Sequence, residues 1–469
     1  MWNLRAYGDN TALTDDHGRA MTYHELADEA ERIGAAVPAR SLVFSFCSNR
    51  IDSVTGYVGF LENRIVPVLI KYDLEAGLRA QLMETYRPQY LYMPAELGGE
   101  EAFAGLQRVY ETKEYVLLES EYEGAPELFP ELALLLTTSG STGSPKLVRQ
   151  SYRNIEANTA SIVEYLRLTP GERAITTLPM NYTYGLSIIN SHLMAGAAIC
   201  LTELSVLRGE FWDYFDKVQA TSFGGVPYTY EILYRLGFTK RTLQSLRYMT
   251  QAGGKITPDL HRIFAEYAER TGTQFIVMYG QTEATARMAY LPGDKALEKA
   301  GSTGIAIPGG KLWLRDVDGS VIEGPDRVGE LIYEGPNVTL GYAEKREDLA
   351  RGDERGGVLE TGDMARRDAD GYYYITGRLK RFLKIYGNRV NLDETERLLR
   401  RQFPDPDLAC AGRDDLLIVY MVSENKALHR QVRQFLAETT GLSPLAFKVK
   451  AVKEIPRSDS GKIRYQELS

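Results

Sequence analysis

The chain has 469 residues, too many for one compact core and enough for two or three domains. Hydrophobic residues make up 44% and charged residues 25%, and the net charge of −8 argues against a general nucleic-acid binder or a polybasic membrane anchor. No run approaches the ~18 apolar residues of a spanning helix, the first ten residues lack the apolar core of a signal peptide, and Cys47, Cys200 and Cys410 are too scattered for a metal or disulfide pattern. The expectation is a cytoplasmic protein with no membrane span and no nucleic-acid partner.

Residues 42–47 and 66–70 read as buried strands, with helices over 52–61 and 74–86. An apolar run then ends at Thr137, and residues 137–144 hold six hydroxyl side chains and two glycines before Pro145 and Lys146. Glycines let a backbone turn with positive φ and present its N–H groups, and hydroxyls add further donors. Lys146 adds a compact charge able to reach a phosphate oxygen. The segment reads as a phosphate-binding loop, with a flexible Ser/Gly linker as the plain alternative. It is not a Walker A loop, because Gly140 is not followed by four residues and Gly-Lys-Ser/Thr.

A helix is expected over 154–166, with Ile155, Ile162, Val163 and Leu166 on one face. Strands follow at 174–178, 197–201 and 275–278. Strands separated by helices predict parallel sheets with crossover helices, which bind ligands at the C-terminal ends of strands, where the 137–144 loop falls. From about residue 311 the texture changes to short strands at 311–315, 329–334 and 371–376, a small β subdomain. Gly329-Glu330-Leu331 and Gly341-Tyr342 are expected to bracket a hairpin. A last unit holds a helix at 393–403, a strand at 416–421, a helix at 428–439 and a strand at 447–452. The fold class expected is α/β. A large N-terminal domain, 1–379, carries parallel-rich sheets and the β subdomain, and a small α+β domain follows at 380–469.

Other segments suggest chemistry. In Tyr279-Gly280-Gln281-Thr282-Glu283, after an apolar strand, an aromatic can stack on a base, a hydroxyl can bind phosphate and a carboxylate can hold Mg²⁺. A plain strand-to-turn role would use the same residues. Asp363 in Thr361-Gly362-Asp363 offers a carboxylate for ribose hydroxyls, or is part of a turn. Arg378 and Lys380 place two cations near the expected boundary, and Lys462 sits in the polar tail Ser460-Gly461-Lys462. The five histidines (His17, His24, His192, His261, His429) match no motif.

In this order, TSGSTGSPK, YGQTE, GELIYEGPNVTLGY, TGD, GRLKRFLKIYGNRV and SGK resemble the adenylate-forming superfamily of acyl- and aryl-CoA synthetases, peptide-synthetase adenylation domains and luciferases. The resemblance runs from Thr22-Tyr23-His24-Glu25-Leu26 to Lys462, nearly the whole chain. It implies that a small carboxylic acid attacks the α-phosphate of ATP, with Mg²⁺, to give acyl-AMP and pyrophosphate. A thiol, CoA or the phosphopantetheine of a separate carrier protein, then displaces AMP. By the same resemblance Thr137, Thr138, Ser139, Gly140, Ser141, Thr142, Gly143 and Lys146 would hold the β- and γ-phosphates. Thr282 would donate to the α-phosphate and Glu283 would ligate Mg²⁺. Tyr279, with Gly280 and Gln281, would form one side of the adenine site and Gly253-Gly254-Lys255 the other, with Ile375 near the base. Asp363 and Arg378 would hold the ribose. Lys462 would bridge the carboxylate and the α-phosphate. The small domain would rotate about Lys380, withdrawing Lys462 and bringing Lys384 and Gly387 to a pantetheine tunnel.

The chain departs from the family pattern at Pro179-Met180-Asn181-Tyr182-Thr183-Tyr184-Gly185, where Tyr182 replaces a histidine, and at Tyr152, where the phosphate loop is usually followed by a Ser-His pair. Tyr182, Gly185, Val226, Tyr228 and Met278, beside Gly253, are the candidate acyl-pocket residues. The Phe-Asp-x-Ser pattern that pairs with an α-amino group is missing, which argues against an amino acid substrate. The alternatives that remain are a stand-alone amino-acid-adenylating enzyme, an oxidative luciferase-like enzyme and a non-catalytic nucleotide-binding homologue. The last is opposed by the joint presence of Glu283, Asp363, Arg378 and Lys462.

Overall fold

Every residue from Ile51 to Leu61 is buried, so the helix Ile51–Glu62 is covered on all sides rather than on one stripe. In the computed structural model, which describes residues 1–137, 146–386, 388–457 and 463–468, this helix packs on Leu42–Cys47 and Val66–Lys71 and also touches Thr11–Asp15, strands of two different sheets. The approach is close. A Cβ on Gly56 would lie 2.1 Å from a ring carbon of Tyr92, so a larger residue must displace that ring.

The chain forms two units, Met1–Lys311 with Glu334–Leu359, and Leu312–Tyr333 with Glu360–Ser469. Among the described residues the first unit holds a nine-stranded and an eight-stranded sheet. In the nine-stranded sheet Thr11–Asp15, Ala198–Leu201, Arg173–Ile175, Ser222–Gly225, Tyr248–Gln251 and Gln274–Tyr279 lie side by side and parallel. Helices such as Thr183–Ala195, Gly209–Val218 and Pro258–Thr271 make the crossovers. The expected α/β architecture is therefore observed. Among the described residues no helix is long and apolar enough to cross a membrane.

The eight-stranded sheet differs from expectation in two places. The strand Leu132–Thr137 lies parallel to Val66–Lys71, but its other neighbour is an antiparallel strand, Leu147–Ser151, that the hydrophobic pattern did not reveal. The hydroxyl-rich loop thus closes an antiparallel pair, with Thr137 opposite Leu147. Its ends are held about one strand spacing apart, ~5 Å. Residues 138–145 themselves lie outside the described residues. The expected hairpin between 329–331 and 341–342 does not form. Val328–Glu334 joins a five-stranded sheet, and Gly341–Ala343 pairs with Leu147–Ser151.

Arg149 is the reason for the second difference. Its side chain is fully buried, with Nη2 2.5 Å from Glu354 Oε2. Nε donates to the Tyr342 carbonyl at 3.0 Å, Nη2 to Leu340 at 3.2 Å, and Nη1 to Arg351 and Gly352. Gly341 is required beside it: φ is +125°, and a Cβ there would lie 2.5 Å from Glu354 Oε2 and 3.0 Å from Arg149 Nη2. The guanidinium therefore draws residues 340–354 onto the first unit.

The second unit contains the five-stranded sheet, a two-stranded pair (Phe382–Ile385 with Asn388–Asn391) and a three-stranded sheet of Leu408–Arg413, Leu416–Met421 and Phe447–Ala451. The helices Leu392–Gln402 and Lys426–Thr440 contribute Leu399, Val432 and Leu436 to its core. Asn391 caps the first helix by accepting from the N–H groups of Asp393 and Glu394. Lys380 lies within this unit, in the turn Leu379–Arg381.

Replacing Arg149 with methionine nearly keeps the volume but takes the donor from four carbonyls. The expected loss of unfolding free energy in urea is about 3 kcal/mol. A loss below roughly 1 kcal/mol, the size of an ordinary surface substitution, would show that the guanidinium does not hold this segment.

Candidate active site

Most candidate residues of the first unit stand on successive connections at one edge of the parallel strands. Val226 and Tyr228 follow Ser222–Gly225, Gly253-Gly254-Lys255 follows Tyr248–Gln251, and Gly280 to Glu283 follow Gln274–Tyr279. These strands are immediate neighbours and parallel, so their C-terminal connections are neighbours too. Tyr182 precedes the helix Thr183–Ala195 and packs on this edge: a Cβ on Gly253, where φ is +81°, would lie 2.4 Å from its hydroxyl and 3.1 Å from Val226. Gly185 is equally confined, since a Cβ there would lie 2.4 Å from the Pro179 carbonyl. Tyr182, Val226 and Met278 join one apolar cluster with Tyr184, Tyr248 and Ile276. Tyr228 stands apart from it, 53% exposed, and Gly254 and Lys255 are exposed as well.

The Tyr279–Glu283 connection is held from below by a segment read from sequence as merely structural. A Cβ on Gly280 would lie 1.8 Å from the Ala286 carbonyl, so the chain folds back as only glycine permits. Thr285 closes the turn at φ +66°, a costly conformation for a β-branched residue. Its hydroxyl donates to the Asn337 carbonyl at 2.7 Å, and its own carbonyl accepts from Thr183. Asn337 donates to Ala284 at 2.9 Å and to Arg287 at 3.1 Å. The Glu283 carbonyl accepts from Thr339 N–H, the Thr339 hydroxyl and Arg355.

The Glu283 carboxylate is thereby aimed at Tyr342. Tyr342 donates its hydroxyl to Glu283 Oε1 at 2.7 Å. Burial, and then the Glu283 charge, push that hydroxyl up to about 12, so it remains a donor at neutral pH. The Tyr342 ring carries two cations: Lys146 Nζ is 3.5 Å from the ring centre and the Arg355 guanidinium 4.8 Å. Lys146 also lies 3.4 Å from Glu344. Glu283, Tyr342, Lys146 and Arg355 thus form one cluster at the end of the hydroxyl-rich loop. Among the described residues no group of three or more His, Cys, Asp or Glu could hold a metal by itself. A lone carboxylate suits Mg²⁺ only where phosphate oxygens complete the set, since that ion keeps waters and shares phosphate oxygens with one or two carboxylates.

In the second unit, Asp363 and Arg378 are register partners on adjacent antiparallel strands, and Arg378 Nε is 3.3 Å from Asp363 Oδ1. Asp363 is buried, while the Arg378 side chain is 65% exposed. Ile375 lies opposite Ala365 on the same pair of strands. The backbone of Lys384 belongs to the strand Phe382–Ile385. Thr138, Ser139, Gly140, Ser141, Thr142, Gly143, Gly387 and Lys462 lie outside the described residues. Arg457 and Ile463, which flank the Lys462 segment, form an antiparallel bridge.

Sequence reading missed Tyr342, Asn337, Thr339, Arg355 and Arg287. The first three fall inside the quoted GELIYEGPNVTLGY, so the signal was present but read as a hairpin. It also gave His192 no role. That side chain is buried, with Nδ1 2.8 Å from the Ile188 carbonyl and Nε2 3.1 Å from the Tyr248 hydroxyl. Burial, and to a lesser degree the Arg287 charge, lower its pKa to about 4, and burial does the same for His261. A folded-state value below the unfolded one favours the neutral ring. The stabilisation is present above pH ~6.5 and is lost as pH falls through about 4. Each histidine accounts for up to roughly 3 kcal/mol of that loss. Urea unfolding across this range should show a slope that His192→Gln reduces by about half; an unchanged slope would assign the acid sensitivity elsewhere.

A family model described as AMP-binding enzyme matches residues 2–343. An indoleacetate–CoA ligase of Aromatoleum aromaticum is 26% identical over 490 residues, covering 96% of this chain and 93% of the relative. A 3-hydroxybenzoate–CoA ligase of an Aromatoleum species is also 26% identical, over 95% of this chain and 90% of the relative. Among solved structures, an O-succinylbenzoate coenzyme A synthetase from Bacillus subtilis in complex with AMP shares the fold, with a TM-score of 0.80 at 22% identity over 99% of this chain and 97% of its own. The chain belongs to the AMP-binding enzyme family, within the adenylate-forming superfamily that its motifs resemble.

Proposed function

We propose that this chain couples ATP cleavage to activation of a small carboxylic acid and passes the acyl group to a thiol. A carboxylate oxygen attacks the α-phosphorus of ATP. The bond from that phosphorus to the bridging oxygen breaks, and pyrophosphate leaves. A thiol sulfur then attacks the acyl carbon, AMP departs with the electron pair of the broken C–O bond, and the thiol proton passes to solvent. The observation that carries this reading is the Glu283 cluster: an aimed carboxylate, an aromatic hydroxyl and two cations, at the strand edge where such sheets bind ligands.

Two anions must meet in the first step, so the chain has to offset charge as it develops. Lys146, carried by the end of the Thr137–Lys146 loop, is assigned in this reading to the phosphates that leave. Thr282 donates to the α-phosphate in this reading, and Glu283 holds Mg²⁺, with Tyr342 fixing which carboxylate oxygen is turned outward. Bound Mg²⁺ supplies neutralisation of phosphate charge. Asp363 and Arg378 are assigned to the ribose, and Tyr279 with Gly253-Gly254-Lys255 to the adenine. Lys462 is assigned by its motif to the reacting oxygens, withdrawn when residues beyond Lys380 rotate for the thiol step. The named CoA ligases among the relatives support free CoA as the acceptor, with a carrier-bound phosphopantetheine as the second reading.

ATP–pyrophosphate exchange across aryl, short-chain, long-chain and amino acids tests the first step, and CoA against pantetheinylated carrier proteins tests the second. Glu283→Gln should lower exchange roughly 10²–10³-fold, the range for loss of one electrostatic stabiliser. Lys462→Ala should abolish exchange yet leave thioester formation from supplied acyl-AMP largely intact. Equal loss of both steps would remove the two-conformation assignment, and no exchange with any acid would remove the ligase reading.

A further inference from the structure

Four residues beyond Glu283, the chain buries a cation that no acidic side chain among the described residues balances. Arg287 is 3% exposed. Its backbone is fixed by Asn158, which donates to the Arg287 carbonyl at 2.8 Å and accepts from its N–H at 3.3 Å. Among the described residues its guanidinium meets only neutral groups. Nε and Nη2 donate to the Ser187 hydroxyl at 3.2 and 3.0 Å, and Nη1 donates to the Tyr165 hydroxyl at 3.0 Å and rests against the Met278 sulfur. The Tyr184 ring centre is 4.9 Å from Cζ. Among the described residues no aspartate or glutamate pairs with it.

The surroundings do not supply an anion by ionising. The titratable groups that feel its charge are Tyr165 on the helix Tyr152–Leu166, Tyr182 and Tyr184 at the start of Thr183–Ala195, His192 further along it, and Tyr248 on the strand Tyr248–Gln251. Burial raises all four phenols and lowers the imidazole, so each is neutral at pH 7. The buried Arg149 and the partly buried Arg19 and Arg381 show what is missing here. Arg149 has Glu354, Arg19 has Asp52, and Arg381 has Asp393 and Glu396. A desolvated charge left without a counter-ion is costly, and a ligand that brings the counter-ion recovers that cost on binding.

The position suits a ligand. Arg287 lines a cavity with Ile188, Ser191, His192, Gly224 and Thr250. It touches Met278 and neighbours Tyr182, the residues already placed at the candidate acyl pocket. The cavity is narrow, ≈ 10 Å³, so an entering group must displace side chains around the guanidinium, Met278 among them. Met278 is unbranched and readily repacked, and the Tyr182 hydroxyl makes no hydrogen bond among the described residues.

We propose that Arg287 binds a second anionic group of the acid, remote from the carboxylate that is activated: the substrate is a dicarboxylate, or an acid with another anion of that size at its far end. This rests on the acid-activating reading above, which places the reacting carboxylate at the partly exposed Thr282 and Glu283. Arg287 stands deeper, in the wall that would meet the tail of the acid. The same charge rejects an acid that carries an ammonium group at that end.

The test uses matched pairs that differ only in the second charge: glutarate, adipate and isophthalate, each against its monomethyl ester. Binding is read by titration calorimetry with a non-hydrolysable ATP analogue present, and turnover by pyrophosphate exchange, in the wild type, Arg287→Gln and Arg287→Lys. At least one diacid should bind roughly 10²-fold more tightly than its ester. Arg287→Gln should remove that difference while leaving ester binding within about threefold, and Arg287→Lys should keep part of it. The wild-type comparison stands even if a variant folds poorly. Equal binding of acid and ester in every pair, no binding of any member, or an equal loss on both in Arg287→Gln overturns the proposal. Exchange confined to acids with neutral tails would remove the anion site and keep the ligase reading. Diacid-selective binding without exchange would do the reverse.

Discussion

The candidate site of the first unit depends on one buried guanidinium, that of Arg149, paired with the exposed carboxylate of Glu354. Arg149 and Glu354 are 205 residues apart in sequence and 2.5 Å apart in space. Arg149 sits on the strand that follows the hydroxyl-rich loop, and its other donors reach the carbonyls of residues 340, 342, 351 and 352. That clamp decides where Tyr342 stands. From there the phenol reaches Glu283 while its ring faces Lys146. The Glu283 carboxylate and the Lys146 ammonium come from distant parts of the chain, and a single guanidinium brings their common support, Tyr342, into place. Gly341 belongs to the same arrangement, because any side chain there would collide with the pair.

Two buried arginines of the first unit show how charge burial divides between structure and binding. The Arg149 guanidinium meets a carboxylate and four carbonyls, so its desolvation is offset within the folded chain. The Arg287 guanidinium meets two hydroxyls, a thioether and an aromatic face. Neutral hydrogen bonds offset part of its desolvation, but none supplies the opposite charge. The difference lies in the partners rather than in the depth of burial, and it separates a structural clamp from a site able to gain from an incoming anion.

Much of the fold was legible because hydrophobic runs and turns are local signals. The strand expected at 42–47 is Leu42–Cys47, the helix expected at 52–61 is Ile51–Glu62, and the strand expected at 416–421 is Leu416–Met421. The strand Leu147–Ser151 escaped notice because Arg149 and Gln150 interrupt its apolar pattern, although both are buried. The burial of Arg149 depends on a partner two hundred residues away, and no local window contains that information. The same separation hid Tyr342: its glycine-flanked sequence suggested a hairpin, whereas its strand pairs with Leu147–Ser151. The Tyr279–Glu283 motif was readable as chemistry, but its geometry rests on Asn337, Thr339 and Arg355, whose bonds to it cannot be counted along the chain. Tyr228 was read as a candidate pocket residue, and helix phase turns it outward while Tyr230 turns in.

The turn at Lys380 bears on how the proposed two-step reaction changes site between steps. Two side chains from beyond this turn hold the strand that precedes it. Asn391 donates to the Thr376 carbonyl at 3.2 Å, and Asp393 Oδ2 accepts from the Arg378 N–H at 2.9 Å. The other oxygen of Asp393 holds Arg381, which also pairs with Glu396 and lies against the Tyr465 ring. Asp393 therefore straddles Lys380, with one oxygen on each side. A rotation at that residue gives up the bonds to Thr376 and Arg378, worth roughly 1 kcal/mol each in net terms. The pairs of Arg381, of which that with Glu396 is largely buried and far costlier to break, lie wholly on the far side and move as a body. Bonds that are cheap across the turn and strong beyond it allow a pivot there without loosening the part that carries Lys462.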